Sequence, residues 1–154
     1  MLKEIYDAEI IDNKFEQNTV GIFVEGSNRI NYLRNEFRRN GWAIKFYGGC
    51  ESNKISHNNF LYNSIDIVVS SQLSNNSFDY NYWSEYSGYD LDKDQEGDIP
   101  HYPVKLYSFI HNQVPESVVL IRSLFVDIIN YAEKISPVFT PKDVQDKHPQ
   151  MNRL

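Results

Sequence analysis

Four aspartates in one short segment have the spacing of a calcium-binding loop. They occupy positions 1, 3, 5 and 9 of such a loop and are Asp90, Asp92, Asp94 and Asp98. A hard cation binds several oxygens that converge from one short turn. However, Gln95 stands at position 6, where a sharp turn favours glycine, and no glutamate follows at position 12. Two interpretations stay open: a site for calcium or a similar hard cation, and a solvated acidic turn.

Softer ligands lie near the end of the chain. His148 and Met151 are three residues apart, and imidazole and thioether groups are ligands that copper accepts. The other candidate ligands are His57, His101 and His111, although isolated histidines are more often structural or solvated. A frayed, polar tail is the alternative interpretation of the segment that contains His148 and Met151.

A repeated pattern between Ile10 and Trp83 indicates the scaffold that must position these residues. Its four copies are centred on the phenylalanines Phe15, Phe37, Phe60 and Phe78. The last interval between these residues is shorter than the first two. An apolar or aromatic residue precedes each centre by five, the last of these being Leu73. A period near 20 is typical of a solenoid, in which each turn buries its apolar face against its neighbours. Few leucines lie in the repeats, so the leucine-rich class is disfavoured. The pattern predicts an all-β solenoid, a right-handed parallel β-helix.

Asparagines recur two residues before and three residues after each phenylalanine. The two columns are Asn13, Asn35, Asn58 and Asn76, and then Asn18, Asn40, Asn63 and Asn81. We expect these residues to adopt the left-handed backbone angles of tight corners, which asparagine tolerates well. We also expect their amides to form hydrogen-bonded ladders along the axis, with the phenylalanines stacked inside. The alternative is that the asparagines mark surface turns of an ordinary β-sandwich.

Catalysis on polysaccharides would need two carboxylates, or carboxylates with an arginine, aligned on the outside of adjacent turns. No outward column stacks carboxylates in this pattern. Asp12 and Glu16 of the first coil instead face Arg34 and Arg38 of the second, which predicts salt bridges between coils. We therefore expect a non-enzymatic protein, with a carbohydrate-binding or carbohydrate-active lyase or hydrolase as the alternative.

The chain divides into four segments by composition. Coils are expected over residues 1–83, an aromatic plug and the acidic loop over 84–110, a helix over 111–136 and a tail over 137–154. Pro115 suits the first turn of the helix, which is apolar over more than half its circumference. Such a helix must be covered on more than one side. We expect it to cap the coils, and either the cap alone or a partner protein or membrane surface would complete the cover.

Bulk properties exclude several classes of protein. The chain has 154 residues, enough for one domain with a real core, and a net charge of −6 without the basic stripe of a nucleic-acid-binding protein. Cys50 is the single cysteine, so no internal disulfide can form. No signal peptide follows Met1, so the chain as written is expected to stay in the cytoplasm, and the first coil begins almost at that residue. We expect the chain to be the C-terminal piece of a longer solenoid, since an open coil edge is usually covered.

Several motifs together resemble the C-terminal part of the NosD family. They are the coils followed by Tyr82-Trp83, Gly88-Tyr89-Asp90-Leu91-Asp92, Gly97-Asp98-Ile99-Pro100, Pro103-Val104 and the segment Leu120-Ile121-Arg122-Ser123-Leu124-Phe125-Val126-Asp127. This family comprises periplasmic β-helix proteins needed to mature nitrous-oxide reductase. The resemblance covers essentially the whole chain, and Pro149-Gln150-Met151 is similar to the family's C-terminal Pro-x-Met.

The resemblance implies an accessory role in copper-site assembly rather than catalysis. Family members work with an ABC transporter, made of a cytoplasmic ATPase and a membrane permease, so the expected location is the periplasm. The helix would dock on the permease and would meet the membrane only through that protein. Its candidate docking residues are Arg122, Leu124, Phe125, Asp127 and Ile128. Family members are longer than this chain, carry a signal peptide and usually have glycine where Gln95 stands.

Overall fold

The computed structural model describes residues 1–70, 75–104 and 144–154, together with Ile128 and Tyr131. Twelve short strands lie in these ranges. They are β1 Leu2–Lys3, β2 Glu9–Ile11, β3 Lys14–Glu16, β4 Val20–Glu25, β5 Asn31–Leu33, β6 Glu36–Arg38, β7 Trp42–Tyr47, β8 Lys54–Ser56, β9 Asn59–Leu61, β10 Ile65–Val69, β11 Ser77–Asp79 and β12 Tyr82–Trp83.

The strands form three parallel sheets of four strands each. Sheet 1 has the order β1-β4-β7-β10, sheet 2 the order β2-β5-β8-β11, and sheet 3 the order β3-β6-β9-β12. Each strand pairs with the equivalent strand of the neighbouring coil, as in Phe15 with Phe37 and Phe37 with Phe60. The chain therefore winds as a three-faced parallel β-helix, which confirms the predicted fold class.

A stack of four aromatic rings fills the interior behind sheet 3. The ring centroids of Phe15 and Phe37, and of Phe37 and Phe60, are 5.0 Å apart, and those of Phe60 and Trp83 are 4.2 Å apart. Neighbouring planes are within 11° of parallel. Offset stacks of this kind contribute beyond the burial of their area. The predicted internal stack is confirmed for its first three members.

The predicted centre of the fourth copy, Phe78, is wrong. Trp83, not Phe78, pairs with Phe60, whereas Phe78 pairs with Ile55 in sheet 2. The last interval of the repeat is therefore as long as the one before it. Phe78 lies five residues before Trp83. The phenylalanine pattern indicates the wrong residue here because indole replaces the phenylalanine ring in the fourth coil. Leu73, assigned to that copy, lies outside the described residues.

The corrected register makes one continuous asparagine ladder of Asn13, Asn35, Asn58 and Asn81. The side-chain oxygen of Asn58 accepts the backbone N–H of Asn35 at 2.9 Å and the Nδ2 of Asn35 at 3.0 Å. Asn81 does the same for Asn58 at 2.9 and 3.0 Å. A second ladder runs through Asn18, Asn40 and Asn63. The predicted ladders are confirmed for their first three members, but Asn81 belongs to the first ladder and Asn76 instead accepts the N–H of Asn53. The ladders satisfy the backbone groups that the corners would otherwise leave unpaired.

The asparagines of the two ladders do not adopt the left-handed angles expected of them. In the main ladder the residue immediately before each asparagine does so, with φ of 56°, 53°, 54° and 57° at Asp12, Arg34, His57 and Tyr80. Each such residue costs roughly 1–2 kcal/mol relative to an ordinary conformation. The asparagine must direct its own N–H and its amide along the axis, so the preceding residue takes the turn.

The predicted helical segment is largely outside the described residues. Ile128 and Tyr131 are helical and are 57% and 67% exposed. The candidate docking residues Arg122, Leu124, Phe125 and Asp127 fall outside the described ranges, and capping of the coils by this helix stays a prediction. In the part of the chain that was described, no helix combines the length and apolar character required to span a bilayer.

Candidate functional site at the C-terminal coil end

The described part of the tail, residues 144–154, packs against the coils, so the interpretation of this part as a frayed terminus is wrong. Asp146 forms a parallel bridge with Phe78 of β11, and Gln150 forms one with Tyr82 of β12. Val144 and Asp146 are 1% and 0% exposed. Residues 144–151 therefore occupy the place of the next coil on sheets 2 and 3. The packing of Val144 and the hydrogen bonds of Asp146 stabilise this segment. Its polar composition alone does not indicate such stability.

Asp146 ends the main asparagine ladder. Its Oδ2 accepts the backbone N–H of Asn81 at 3.0 Å, the Nδ2 of Asn81 at 2.9 Å and the indole N–H of Trp83 at 2.9 Å. Its Oδ1 accepts the N–H of His148 at 3.2 Å. Burial raises the pKa of this carboxyl, and the hydrogen bonds from Asn81 and Trp83 oppose that rise. Sequence reasoning missed Asp146, since its partners Asn81 and Trp83 belong to a distant part of the chain.

The acidic loop brings three of its four predicted ligands together. Carboxylate oxygens of Asp90, Asp92 and Asp94 lie within 4.8 Å of one another. Repulsion from Asp94, more than desolvation, raises the pKa of Asp92. Asp98 instead accepts the N–H of Leu91 at 2.8 Å.

The loop forms its turn without glycine. Gln95 adopts φ of 76°, the left-handed conformation that position 6 requires. Both oxygens of Asp90 accept loop amides, those of Lys93 at 2.6 Å and Gln95 at 2.9 Å among them. The Asp90 carboxylate therefore shapes the turn, and calcium binding by the loop stays a prediction.

The acidic loop is joined to the tail by backbone contacts. The N–H of Met151 donates to the carbonyl of Gln95 at 2.9 Å, and the N–H of Gly97 donates to the carbonyl of Pro149 at 2.8 Å. The Tyr86 ring lies so close to Gly97 that a Cβ there would meet its hydroxyl at 2.0 Å. Loop, tail and last coil thus form one packed unit at this end of the solenoid.

The structure places His148 and Met151 in different surroundings. The Nδ1 of His148 lies 2.9 Å from a carboxylate oxygen of Asp79, and its ring stacks on Tyr80 with centroids 5.0 Å apart. Met151 follows Gln150, which bridges to sheet 3 and to the acidic loop. Copper binding by this pair stays a prediction.

The histidines and the cysteine of the described ranges do not join a group of three or more His, Cys, Asp and Glu side chains at ligand spacing. Copper sites favour imidazole and sulfur ligands. His57 stacks on Tyr80, His101 lies 5.0 Å from the Trp83 ring, and Cys50 is buried. His111 lies outside the described residues.

The outer columns carry the predicted ion pairs. Arg34 Nε lies 2.8 Å from an oxygen of Asp12, and Arg38 Nη1 lies 3.5 Å from Glu16. The hydrogen bond from Arg34 holds the pKa of Asp12 below its usual range. The pKa values of Asp12 and Glu16 are both lowered by their cationic partners, whereas the acid of a glycosidase has a raised pKa.

Comparison with known proteins places the coils in one family. A family model described as periplasmic copper-binding protein (NosD) matches residues 1–88. A probable ABC transporter binding protein NosD from Stutzerimonas stutzeri is 32% identical over 120 residues, which are 76% of this chain. Its counterpart from Pseudomonas aeruginosa is 30% identical over 120 residues, again 76% of this chain. The chain spans 28% of the length of each of these relatives. It belongs to the NosD family.

Proposed function

We propose that this chain is part of an accessory scaffold for copper-site assembly in nitrous-oxide reductase, acting in the periplasm together with an ABC transporter. The match of the family model to residues 1–88 carries the proposal. Two relatives named as probable ABC transporter binding proteins support the transporter as partner. Copper is then cargo of the assembly process.

The geometry of the coils supports a scaffold over an enzyme. Large side chains fill the interior, and Tyr32, Phe37, Phe46 and Phe60 are each 0% exposed. Amide ladders fix successive coils at hydrogen-bond distance. The outer carboxylates form ion pairs with cations of neighbouring coils, as Asp12 does with Arg34. This arrangement gives a rigid surface whose role is to hold partners.

The docking surface for the permease is proposed to lie on the predicted helix over residues 111–136, with Arg122, Leu124, Phe125, Asp127 and Ile128 as its contact residues. Ile128 and Tyr131 are three residues apart and therefore lie on adjacent positions of one helix face. Both are exposed, at 57% and 67%. An exposed apolar position on this face supports contact with a protein partner.

The change Ile128→Asp tests this surface with little risk to the fold, because the side chain is exposed. We expect the full-length protein carrying it to lose at least about fivefold in co-purification with the transporter permease, as removal of an apolar interface anchor costs over about 1 kcal/mol. The control is Tyr62→Asp, which introduces the same charge in place of a large side chain at a 69% exposed position on the coils. Equal recovery of permease with the two variants would contradict docking through the helix.

A further inference from the structure

The outer face of sheet 1 carries apolar side chains that do not belong to the interior of the solenoid. Ile67 of β10 lies in the interior core. Successive side chains of a strand point to opposite faces, so its neighbour Val68, which pairs with Lys45, points outward. Ile65 and Val68 pack with Trp42 in a cluster that is separate from the interior core.

This outward cluster is buried although it lies on the outside of the coils. Ile65 and Val68 are 3% and 0% exposed. Among the residues that the structure describes, Trp42 is the only apolar side chain packed against this pair. Lys45, the neighbour of Val68 in sheet 1, instead holds its Nζ over the Trp42 ring, 5.6 Å from the centroid. A further part of the molecule must therefore cover the outer side of β10.

Burial on this face increases along the axis toward the last strand of sheet 1. Val20 and Trp42 are only partly buried, whereas Ile65 in the same column is buried. Phe23 is likewise partly buried, whereas Val68 at the end of its column is buried. The cover therefore lies over the third coil, beside β10.

Residues 105–143 begin and end close to this place. Val104 and Val144, which flank the segment, both belong to the interior core. His101 and Asp146 join the two flanks by an antiparallel bridge. Because β10 is the last strand of sheet 1, a segment that leaves and re-enters the core at this end passes beside β10.

The predicted helix over residues 111–136 has apolar residues on two opposite sides. Ile128 and Tyr131 are helical and exposed, so they mark the side that faces water. With 3.6 residues per turn, Val126 and Ile129 fall on the opposite side of such a helix. An apolar side opposite an exposed one is the pattern of a helix that packs on another element.

We propose that the outer face of sheet 1 is the docking surface of the predicted helix, which covers Ile65 and Val68 with the side that carries Val126 and Ile129. The helix then flanks the third coil and does not close the coil end. Its other side, with Ile128, faces away from the coils, and a partner bound there is held in a fixed orientation to them. This inference does not rest on the proposed function.

The thiol of Val68→Cys in the whole chain reports whether this face is covered, because Cys50 is buried and does not compete for reagent. A maleimide should label it at least about tenfold more slowly than the thiol of Tyr62→Cys, at a 69% exposed position. Adding Ile129→Asp should accelerate labelling at position 68 at least about tenfold, since a charge replaces an apolar side chain in the contact. Adding Ile128→Asp, the same change one residue away, should leave the rate unchanged.

Two outcomes would overturn the proposal. Rapid labelling of Val68→Cys alone would show that the outer face of sheet 1 is open to solvent. Equal labelling rates with Ile129→Asp and Ile128→Asp would show that the side carrying Ile129 does not cover it. If an aspartate variant loses its β-sheet circular dichroism, Ile129→Ala and Ile128→Ala replace the pair, and the same contrast is expected at smaller amplitude. The co-purification of permease with Ile128→Asp is measured separately, so either proposal can fail without the other.

Discussion

Asn58→Ala is expected to lower the free energy of unfolding by about 3–5 kcal/mol, because it leaves several buried backbone and amide groups without partners at about 1–3 kcal/mol each. Asn58 is fully buried. Its oxygen accepts the N–H of Asn35, and its Nδ2 donates to the carbonyls of Tyr32 and Ser56 at 2.9 Å. Denaturant unfolding monitored by circular dichroism measures the loss.

Asn13→Ala is the matched control for this prediction. Asn13 belongs to the same ladder but is exposed, and its amide donates to Asn35 at 3.2 Å and to the carbonyl of Ile11. Water can replace these bonds, so the expected loss is about 1 kcal/mol. Equal losses at the two positions would mean that the ladder contributes no more inside the solenoid than at its surface.

Phe60→Ala is expected to cost about 3–5 kcal/mol, the usual range for deletion of a buried ring. Phe60 is 0% exposed and lies between Phe37 and Trp83, so its removal breaks the stack at its centre. Phe60→Leu should cost clearly less, because most of the volume remains. Phe15→Ala, at the partly buried end of the stack, should cost about half as much as Phe60→Ala, in line with its smaller burial. A larger loss at Phe15 than at Phe60 would contradict the view that the stack acts as one continuous core.

The coil fold could be predicted from the sequence because its information is local and repeated. Asn35 and Asn58 occupy the same place in successive coils and make the same bonds, so the same residue type recurs at the same offset. Phe78 was the wrong centre for the fourth coil because the residue type of the repeat changes there from phenylalanine to tryptophan. Trp83 continues the stack with a different ring, and only its pairing with Phe60 identifies it as the fourth member.

The site at the coil end was less predictable because its contacts are distant and chemically unlike the repeat. Asp146 bonds to Asn81 from 65 residues away. It is a carboxylate where the ladder has amides, so the recurrence of asparagine in the sequence does not indicate it. The left-handed angles also lie one residue before the asparagines and not at them. Asparagine tolerates such angles, but each asparagine of the ladder must keep its N–H and its amide directed along the axis.

The acidic loop shows a different limit. Its spacing correctly indicated that Asp90, Asp92 and Asp94 would converge. It did not indicate that Asp90 would accept the loop's own amides or that Asp98 would bond to Leu91. Spacing predicts proximity of oxygens, whereas their hydrogen-bond partners depend on the backbone of the finished turn.

The copper content of nitrous-oxide reductase tests the proposed function most directly. In cells lacking the full-length protein, complementation with the Asn58→Ala form should yield reductase polypeptide that is deficient in copper, whereas the Asn13→Ala form should restore its copper. Metal analysis of the purified reductase, at equal amounts of polypeptide and of the two complementing proteins, measures the difference. Reductase with a full complement of copper in cells that lack the protein altogether would contradict the account.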